Sequence, residues 1–240
     1  MTTPAHLSVV IPAFNEAARL PPYLDEVAGF LDGRDEPWEI VVVDDGSIDG
    51  TAAAVRALAA RHPALRLLPL GRNRGKGAAV RAGMLTAVGA FRLFADADGA
   101  TPIAELKRLE PAVGAGADIV IGSRVLIDPA VSVRAHPHRV AAGRVFNWLV
   151  ARLGLRGVAD SQCGFKLFTA PAAETLFGAL ETTGFAFDVE LLLRAQARGY
   201  RVVEVPVNWA DQEASKVGVL SNGPEMLLQL MRARRRIGRR

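Results

Sequence analysis

From Leu7 to Gly122 the chain alternates short apolar runs rich in branched residues with amphipathic stretches of helical length, and this rhythm restricts the fold more than any other feature. Runs that are apolar throughout suit strands buried on both faces, the condition of a parallel sheet covered by helices. The pattern predicts strands at Leu7–Pro12, Glu39–Asp44, Leu65–Leu70, Phe91–Asp96 and Asp118–Gly122. It predicts helices at about Glu16–Leu31, Gly50–Arg61, Gly75–Val88 and Pro102–Ala115, the last with Thr101 as N-cap and Pro102 at the first helical position. The expected class is α/β, a Rossmann-like, mostly parallel sheet flanked by helices. Ligands of such sheets sit at the carboxyl ends of the strands.

After Gly122 the rhythm changes. A basic segment runs from Pro129 to Ala159, followed by a strand at Gly164–Phe168, a helix at Phe187–Arg198, a strand at Tyr200–Val207 and a terminal helix at Pro224–Ile237. At 240 residues the chain is long enough for one large domain. With half its residues hydrophobic and 22% charged it is not a disordered chain. The expected organisation is a single domain over 1–240, with residues 7–124 as the ligand-binding half, 125–223 as a specialised second half and 224–240 as a basic helix and tail.

The formal charge of +4 and pI of 9.7 suggest nucleic acid as a partner, but their distribution does not. Arg134, Arg139, Arg144, Arg152 and Arg156 lie in a segment without acids, and Arg232, Arg234, Arg235, Arg236, Arg239 and Arg240 end the chain. The remaining 18 basic residues face 25 acids, so the body is acidic. Aromatics make up only 6% and are not interleaved with the basic residues, so no nucleic acid is expected. On a helical wheel from Arg139 to Arg156, Ala142, Phe146, Leu149, Val150 and Leu153 share one face and Arg144, Trp148 and Arg152 lie opposite. That is the pattern of a helix lying on a membrane surface or of a core-packed helix with a solvated face. Met1 to His6 lack the basic start of a signal peptide, no run approaches a membrane span, and the single Cys163 suits a reducing compartment. These features lead to the expectation of a chain in a reducing compartment that lies on any membrane it meets and does not cross it.

Four strand ends carry polar groups: Pro12-Ala13-Phe14-Asn15-Glu16, Asp44-Asp45-Gly46-Ser47, Asp96-Ala97-Asp98-Gly99 and Gly122-Ser123-Arg124. Two carboxylates separated by one residue present hard oxygen ligands to Mg²⁺ or Mn²⁺, and such an ion stabilises a departing diphosphate. Gly71-Arg72-Asn73-Arg74-Gly75-Lys76-Gly77 adds positive charge at a helix start, suited to an anion. It is not a Walker loop, because only three residues separate Gly71 from Gly75 and Gly77 replaces the Ser or Thr. A dinucleotide fingerprint is absent too, since the first strand runs into Pro12.

These segments, with Val9–Glu16 and Val41–Ser47 in full, resemble the inverting family-two glycosyltransferases of GT-A fold. Asp96–Thr101, Ser161–Phe168, Gly184–Glu190 and Glu204–Trp209 are similar more narrowly to the dolichyl-phosphate β-glucosyltransferases. The resemblance implies that Pro12, Ala13, Asn15, Glu16 and Asp44 line a nucleoside pocket, with Lys76, Asp96 and Ala97 also at the donor. It further implies that Asp96 and Asp98 hold the metal, and that Arg124 and Lys216 (in Ala214-Ser215-Lys216) stabilise phosphates. Gly99-Ala100 after Asp98 departs from the mannosyl branch, which tends to carry Leu-Gln there.

The implied reaction, assisted by Mg²⁺ or Mn²⁺, moves glucose from UDP-glucose to a polyprenyl or dolichyl phosphate with inversion, in a cytoplasmic protein peripheral on the cytoplasmic face of a membrane. The acceptor phosphate is already ionised at neutral pH. Asp188 and Glu190 are therefore candidate bases only for a hydroxyl acceptor, and Asp188 alternatively caps the following helix. GDP-mannose as donor, a soluble hydroxyl acceptor and a catalytically dead membrane adaptor stand as alternatives.

Overall fold

The computed structural model describes residues 5–152, 154–212 and 229–237. Its centre is a seven-stranded sheet of β1 (Leu7–Ala13), β2 (Trp38–Asp44), β3 (Leu65–Pro69), β4 (Phe91–Ala95), β5 (Ile119–Ser123), β7 (Phe165–Thr169) and β8 (Val202–Pro206), in the order β3-β2-β1-β4-β7-β5-β8. A second sheet pairs β6 (Val133–Arg134) with β9 (Trp209–Ala210). Every residue of β1 is buried, as are Ile40 to Val43 of β2, so the unbroken apolar runs do mark two-sided burial. The outer strands β3 and β8 are only partly buried, as edge positions allow.

The helices form two packed groups. One contains α1 (Leu20–Asp32), α2 (Thr51–Ala59) and α4 (Leu106–Gly114) with the 3₁₀ turn Ile103–Glu105 before it. The other contains α3 (Lys76–Thr86), α6 (Ala170–Gly178) and α7 (Phe187–Ala197). Between β6 and β7 lies α5 (Pro137–Arg152). The helix over 229–237 packs onto the body: Leu230 and Ala233 are buried, Arg234 donates to the Arg152 carbonyl at 3.1 Å, and Arg236 pairs with Glu181 at 2.6 Å. The expected start of that helix at Pro224 lies outside the described residues.

The sheet is mostly parallel as expected, and four details depart from the sequence reading. First, β7 runs antiparallel to both β4 and β5, because the chain leaves β5 at the ligand edge, makes its 125–164 excursion and re-enters from that edge. Ala95 at the end of β4 thus faces Phe165 at the start of β7. Second, α1 begins at Leu20 and not at Glu16; Pro21 and Pro22 lack the amide hydrogens that would carry the ladder back, leaving Glu16–Arg19 as a turn. Third, Thr101 makes no cap: Pro102 is extended (φ −59°, ψ 142°) and precedes the 3₁₀ turn. The nine-residue helix α6 was not expected; its length and Pro171 hide the helical period.

Gly83 brings α3 close to the sheet. A Cβ there would overlap Val10 and lie 2.7 Å from Val43 Cγ2. Replacing a helical glycine by alanine ordinarily gains roughly 0.5–1 kcal/mol, whereas overpacking costs about 1–3 kcal/mol, so the steric cost wins. Gly83→Ala is expected to lower the melting temperature by about 3–6 °C in a thermal scan, given roughly 2–4 °C per kcal/mol at this size.

Candidate active site

The carboxyl ends of β1, β2, β4 and β5 and the amino end of β7 meet at one edge of the sheet. Pro12 and Ala13 are buried where β1 ends. Asn15, at φ 55°, donates its N–H to Ser47 Oγ and accepts from the Ile48 N–H through Oδ1, each at 2.9 Å. Asn15 therefore binds the loop after β1 to the loop after β2. The Glu16 N–H reaches Thr51 Oγ1 at 2.8 Å, and its carboxylate takes two bonds from Arg19 at 2.6 and 2.8 Å.

Asp44 accepts from the Ser47 N–H at 3.0 Å and is 5% exposed. Its neighbour Asp45, absent from the sequence-derived candidates, is the fastener of the next loop. Its two oxygens accept from the Arg74 and Gly75 amides at 2.8 and 2.9 Å. Gly46, at φ 75°, lies so close to the Arg72 backbone that a Cβ would overlap it. The loops after β1, β2 and β3 are thereby joined into one wall.

Lys76 opens α3 and ion-pairs with Asp96 at 2.6 Å, its ammonium 5.5 Å from the Phe94 ring centroid. Burial disfavours the Lys76 charge, but Asp96 and then Asp188 more than compensate and raise its pKa. The Asp96 amide donates to the Gly164 carbonyl at 2.9 Å, and a Cβ on Gly164 would overlap the Asp96 carboxylate. β7 therefore needs glycine just before its start. Ala97 is 8% exposed. Asp98 receives one N–H, from Ala100 at 3.1 Å; burial and the adjacent Asp96 push its carboxyl above the ordinary range.

Arg124, after β5, is committed to Asp160: Nε and Nη2 each lie 2.7 Å from one carboxylate oxygen, and the Arg124 N–H adds a third bond at 3.0 Å. Burial works against the Asp160 charge, but these bonds prevail and hold its pKa below the usual value. The Asp160 and Ala159 amides donate in turn to Glu204 at 2.8 and 2.6 Å. Asp188, at the start of α7, pairs at 2.6 Å with Lys166, which also donates to the Cys163 carbonyl; both side chains are nearly or fully buried. Glu190 accepts from the Glu181 and Thr182 amides and from Arg194, holding the loop whose Thr183 carbonyl accepts from Ala78 at the start of α3. Burial pushes the Cys163 thiol up to about 12, so it is a packing residue here. Lys216 lies outside the described residues.

Asp45, Asp160 and Lys166 were the residues that sequence reasoning missed. Asp45 reads as an ordinary turn acid, Asp160 stands one residue before the quoted Ser161–Phe168 segment, and Lys166 is hidden in a strand whose lysine is fully buried.

The residues present fit a divalent cation bound to phosphate. Asp96 and Asp98 offer hard oxygens from one turn, a lysine ammonium already rests on Asp96, and the charge at Asp98 is poorly met. Among the described residues no group of three acidic, histidine or cysteine side chains could hold a metal alone, so phosphate and water would complete the shell.

A mostly parallel sheet with this strand-end arrangement is the GT-A glycosyltransferase fold. Solved structures agree: glucosyl-3-phosphoglycerate synthase from Mycobacterium tuberculosis, in complex with Mg²⁺ and UDP, superposes with a TM-score of 0.70 at 18% identity, over 95% of this chain and 78% of that one. The same enzyme in complex with Mn²⁺, UDP and glucosyl-3-phosphoglycerate gives 0.67 at 20% identity, over 95% and 78%. The chain belongs to glycosyl transferase family 2, whose model matches residues 8–177. It is 42% identical over 224 residues to a dolichyl-phosphate beta-glucosyltransferase of Trichomonas vaginalis, covering 89% of this chain and 66% of the relative, just under two thirds of that protein's length. It is 38% identical over 241 residues to one of Dictyostelium discoideum (95% and 74%) and 37% identical over 224 residues to one of Homo sapiens (88% and 69%).

Removing the charge of Asp160 leaves Arg124, mostly withdrawn from water, without its counter-ion. Asp160→Asn is expected to cost about 3 kcal/mol in urea unfolding and to reduce transferase turnover, because both Arg124 and the 159–161 loop lose their anchor.

Proposed function

We propose that this chain transfers glucose from UDP-glucose to a dolichyl or polyprenyl phosphate, with inversion at the anomeric carbon and assistance from Mg²⁺ or Mn²⁺. The observation that carries the reading is the Asp96-Ala97-Asp98 turn, with Lys76 on one side and the Asp45-fastened loop wall beyond it. The names of the relatives, glucosyltransferases of dolichyl phosphate, support the donor and acceptor.

In this reading Pro12, Ala13, Asn15, Glu16 and Asp44 line the nucleoside pocket, with Ala97 beside it. Asp96 and Asp98 hold the divalent ion, which when bound supplies positive charge to the leaving diphosphate. Lys76 offers its ammonium to the same diphosphate. Arg124, still 30% exposed beside Asp160, meets the acceptor phosphate, the role the resemblance also implies for Lys216. An acceptor oxygen forms the new bond to the anomeric carbon as the bond to the diphosphate breaks, and the diphosphate takes the electron pair. Because the acceptor is already ionised, the site works by alignment and charge, without a strong base. Asp188, paired with buried Lys166, is then a support of the β7 start and not a proton acceptor.

A membrane-surface location follows from the acceptor, with the cytoplasmic face as the proposed side. No helix among the described residues is long and apolar enough to cross a membrane. Directly after Arg124, however, Val125, Leu126 and Ile127 are exposed, Ile127 to 97%. On α5, Val150 is buried and Phe146 packs on the core, while Trp148 is exposed and the Arg152 guanidinium stacks 4.7 Å from its ring centroid. One face thus holds the body and the other presents tryptophan and arginine, a pairing suited to lipid headgroups.

Two measurements test this. In a transfer assay offering UDP-glucose or GDP-mannose with dolichyl or undecaprenyl phosphate, glucose is expected on the lipid phosphate. Asp98→Ala should lower turnover at least about 100-fold, corresponding to several kcal/mol of lost charge stabilisation, with an unchanged melt. Mannose transfer would overturn the donor assignment, and near-normal turnover of the variant would remove Asp98 from the metal site. In liposome flotation, Ile127→Asp is expected to reduce binding to anionic vesicles about tenfold, as burying such a side chain contributes about 1.5–3 kcal/mol. Equal flotation would exclude the 125–127 loop from docking.

A further inference from the structure

Tyr23, on α1, lies against the turn that carries Asp96 and Asp98. Its ring edge touches Gly99, where a Cβ would stand 2.9 Å from Tyr23 Cδ2, and Gly99 holds φ 65° at that contact. The side chain is 4% exposed, yet among the described residues nothing hydrogen-bonds to its hydroxyl. Buried hydroxyls are nearly always paired, and an orphan marks a group that finds its partner in another state or in a bound water. Burial, and then the carboxylates of Glu26, Asp96 and Asp98, raise the phenol pKa further, so the group is a protonated donor at any working pH.

The two acids of the turn are not equally served. Asp96 has the Lys76 ammonium at 2.6 Å and Gly164 packed against its carboxylate. Among the described residues Asp98 accepts one hydrogen bond, from the Ala100 amide at 3.1 Å, and Lys76 and Arg19 act on it through their charge alone. The residue that carries the unpartnered hydroxyl thus packs, by the Cδ2 edge of its ring, on the glycine that follows Asp98.

We propose that Tyr23 is a positioning residue for Asp98: its hydroxyl is the donor that steadies the Asp98 carboxylate when cation and diphosphate are bound. The inference rests on the reading of Asp96 and Asp98 as metal ligands and deepens it by adding a hydrogen-bond partner outside the ligand set. Such partners orient ligating carboxylates and typically change metal affinity about 10–100-fold when removed. A tyrosine that merely packs also predicts a phenylalanine variant that melts higher, but with unchanged metal affinity, so the affinity separates the two roles.

The test is Tyr23→Phe, compared with wild type by thermal melting and by electron paramagnetic resonance of Mn²⁺, alone and with UDP. The metal-free variant is expected to melt about 2–4 °C higher, because an unpaired buried hydroxyl has been removed. Its Mn²⁺ affinity in the presence of UDP is expected to fall about tenfold, and Mn²⁺ with UDP should raise its melting temperature less than that of wild type. Equal Mn²⁺ affinity in the two proteins would overturn the proposal. So would a lower melting temperature of the metal-free variant, which would mean that the hydroxyl is already partnered. If wild type fails to bind Mn²⁺ even with UDP, the metal reading itself fails and the role of Tyr23 with it, a result distinct from equal binding by both.

Discussion

Six aspartates crowd the ligand edge of one sheet, and the structure there follows from how each negative charge is met. Asp44 and Asp45 accept hydrogen bonds from backbone amides, which fixes the shapes of the loops after β2 and β3. Asp96, Asp160 and Asp188 each take a cation, respectively Lys76, Arg124 and Lys166. Asp98 has one amide. In a region of reduced dielectric neighbouring carboxylates repel and resist ionisation, and burial with Asp96 beside it pushes the Asp98 carboxyl above the ordinary range. A divalent ion is the natural complement of a turn in this condition.

The cations that answer these acids come from distant parts of the chain, and the antiparallel strand β7 is what brings them together. By pairing with β4 on one side and β5 on the other, it delivers Gly164 to Asp96, Lys166 to Asp188 and, just before it, Asp160 to Arg124. The wall of loops after β1, β2 and β3 is built from successive strand–loop–helix units in chain order. The opposite side depends on a strand that breaks that order by returning antiparallel between β4 and β5.

That difference explains what could be read from the residues alone. Strands β1, β2 and β4 were legible because two-sided burial imposes unbroken apolar runs, and Asp96 and Asp98 were legible because their spacing is itself chemical information. The direction of β7 was not, since a short apolar strand reads the same whether parallel or antiparallel to its neighbours. Arg124 was visible as a strand-end cation, but its partner Asp160 could be found only through the pairing of β5 with β7. Tyr23 falls among apolar residues of an amphipathic helix and reads as core; only its unpaired hydroxyl distinguishes it. The proline pair at Pro21 and Pro22 and the extended Pro102 show the limit of boundary signals, where loss of an amide hydrogen moved the start of one helix and turned another into a 3₁₀ entry.

The Arg124–Asp160 pair joins residues 36 apart and closes the neck of the excursion that carries β6, α5 and the exposed 125–127 loop. With its two ends clasped there, and the sheet order on either side set by β5 and β7, the excursion is a cassette. Its length, tilt and surface chemistry can change without moving the aspartates at the strand ends. A scaffold of this kind lets one looped segment be exchanged while the polar strand ends of the sheet stay in place.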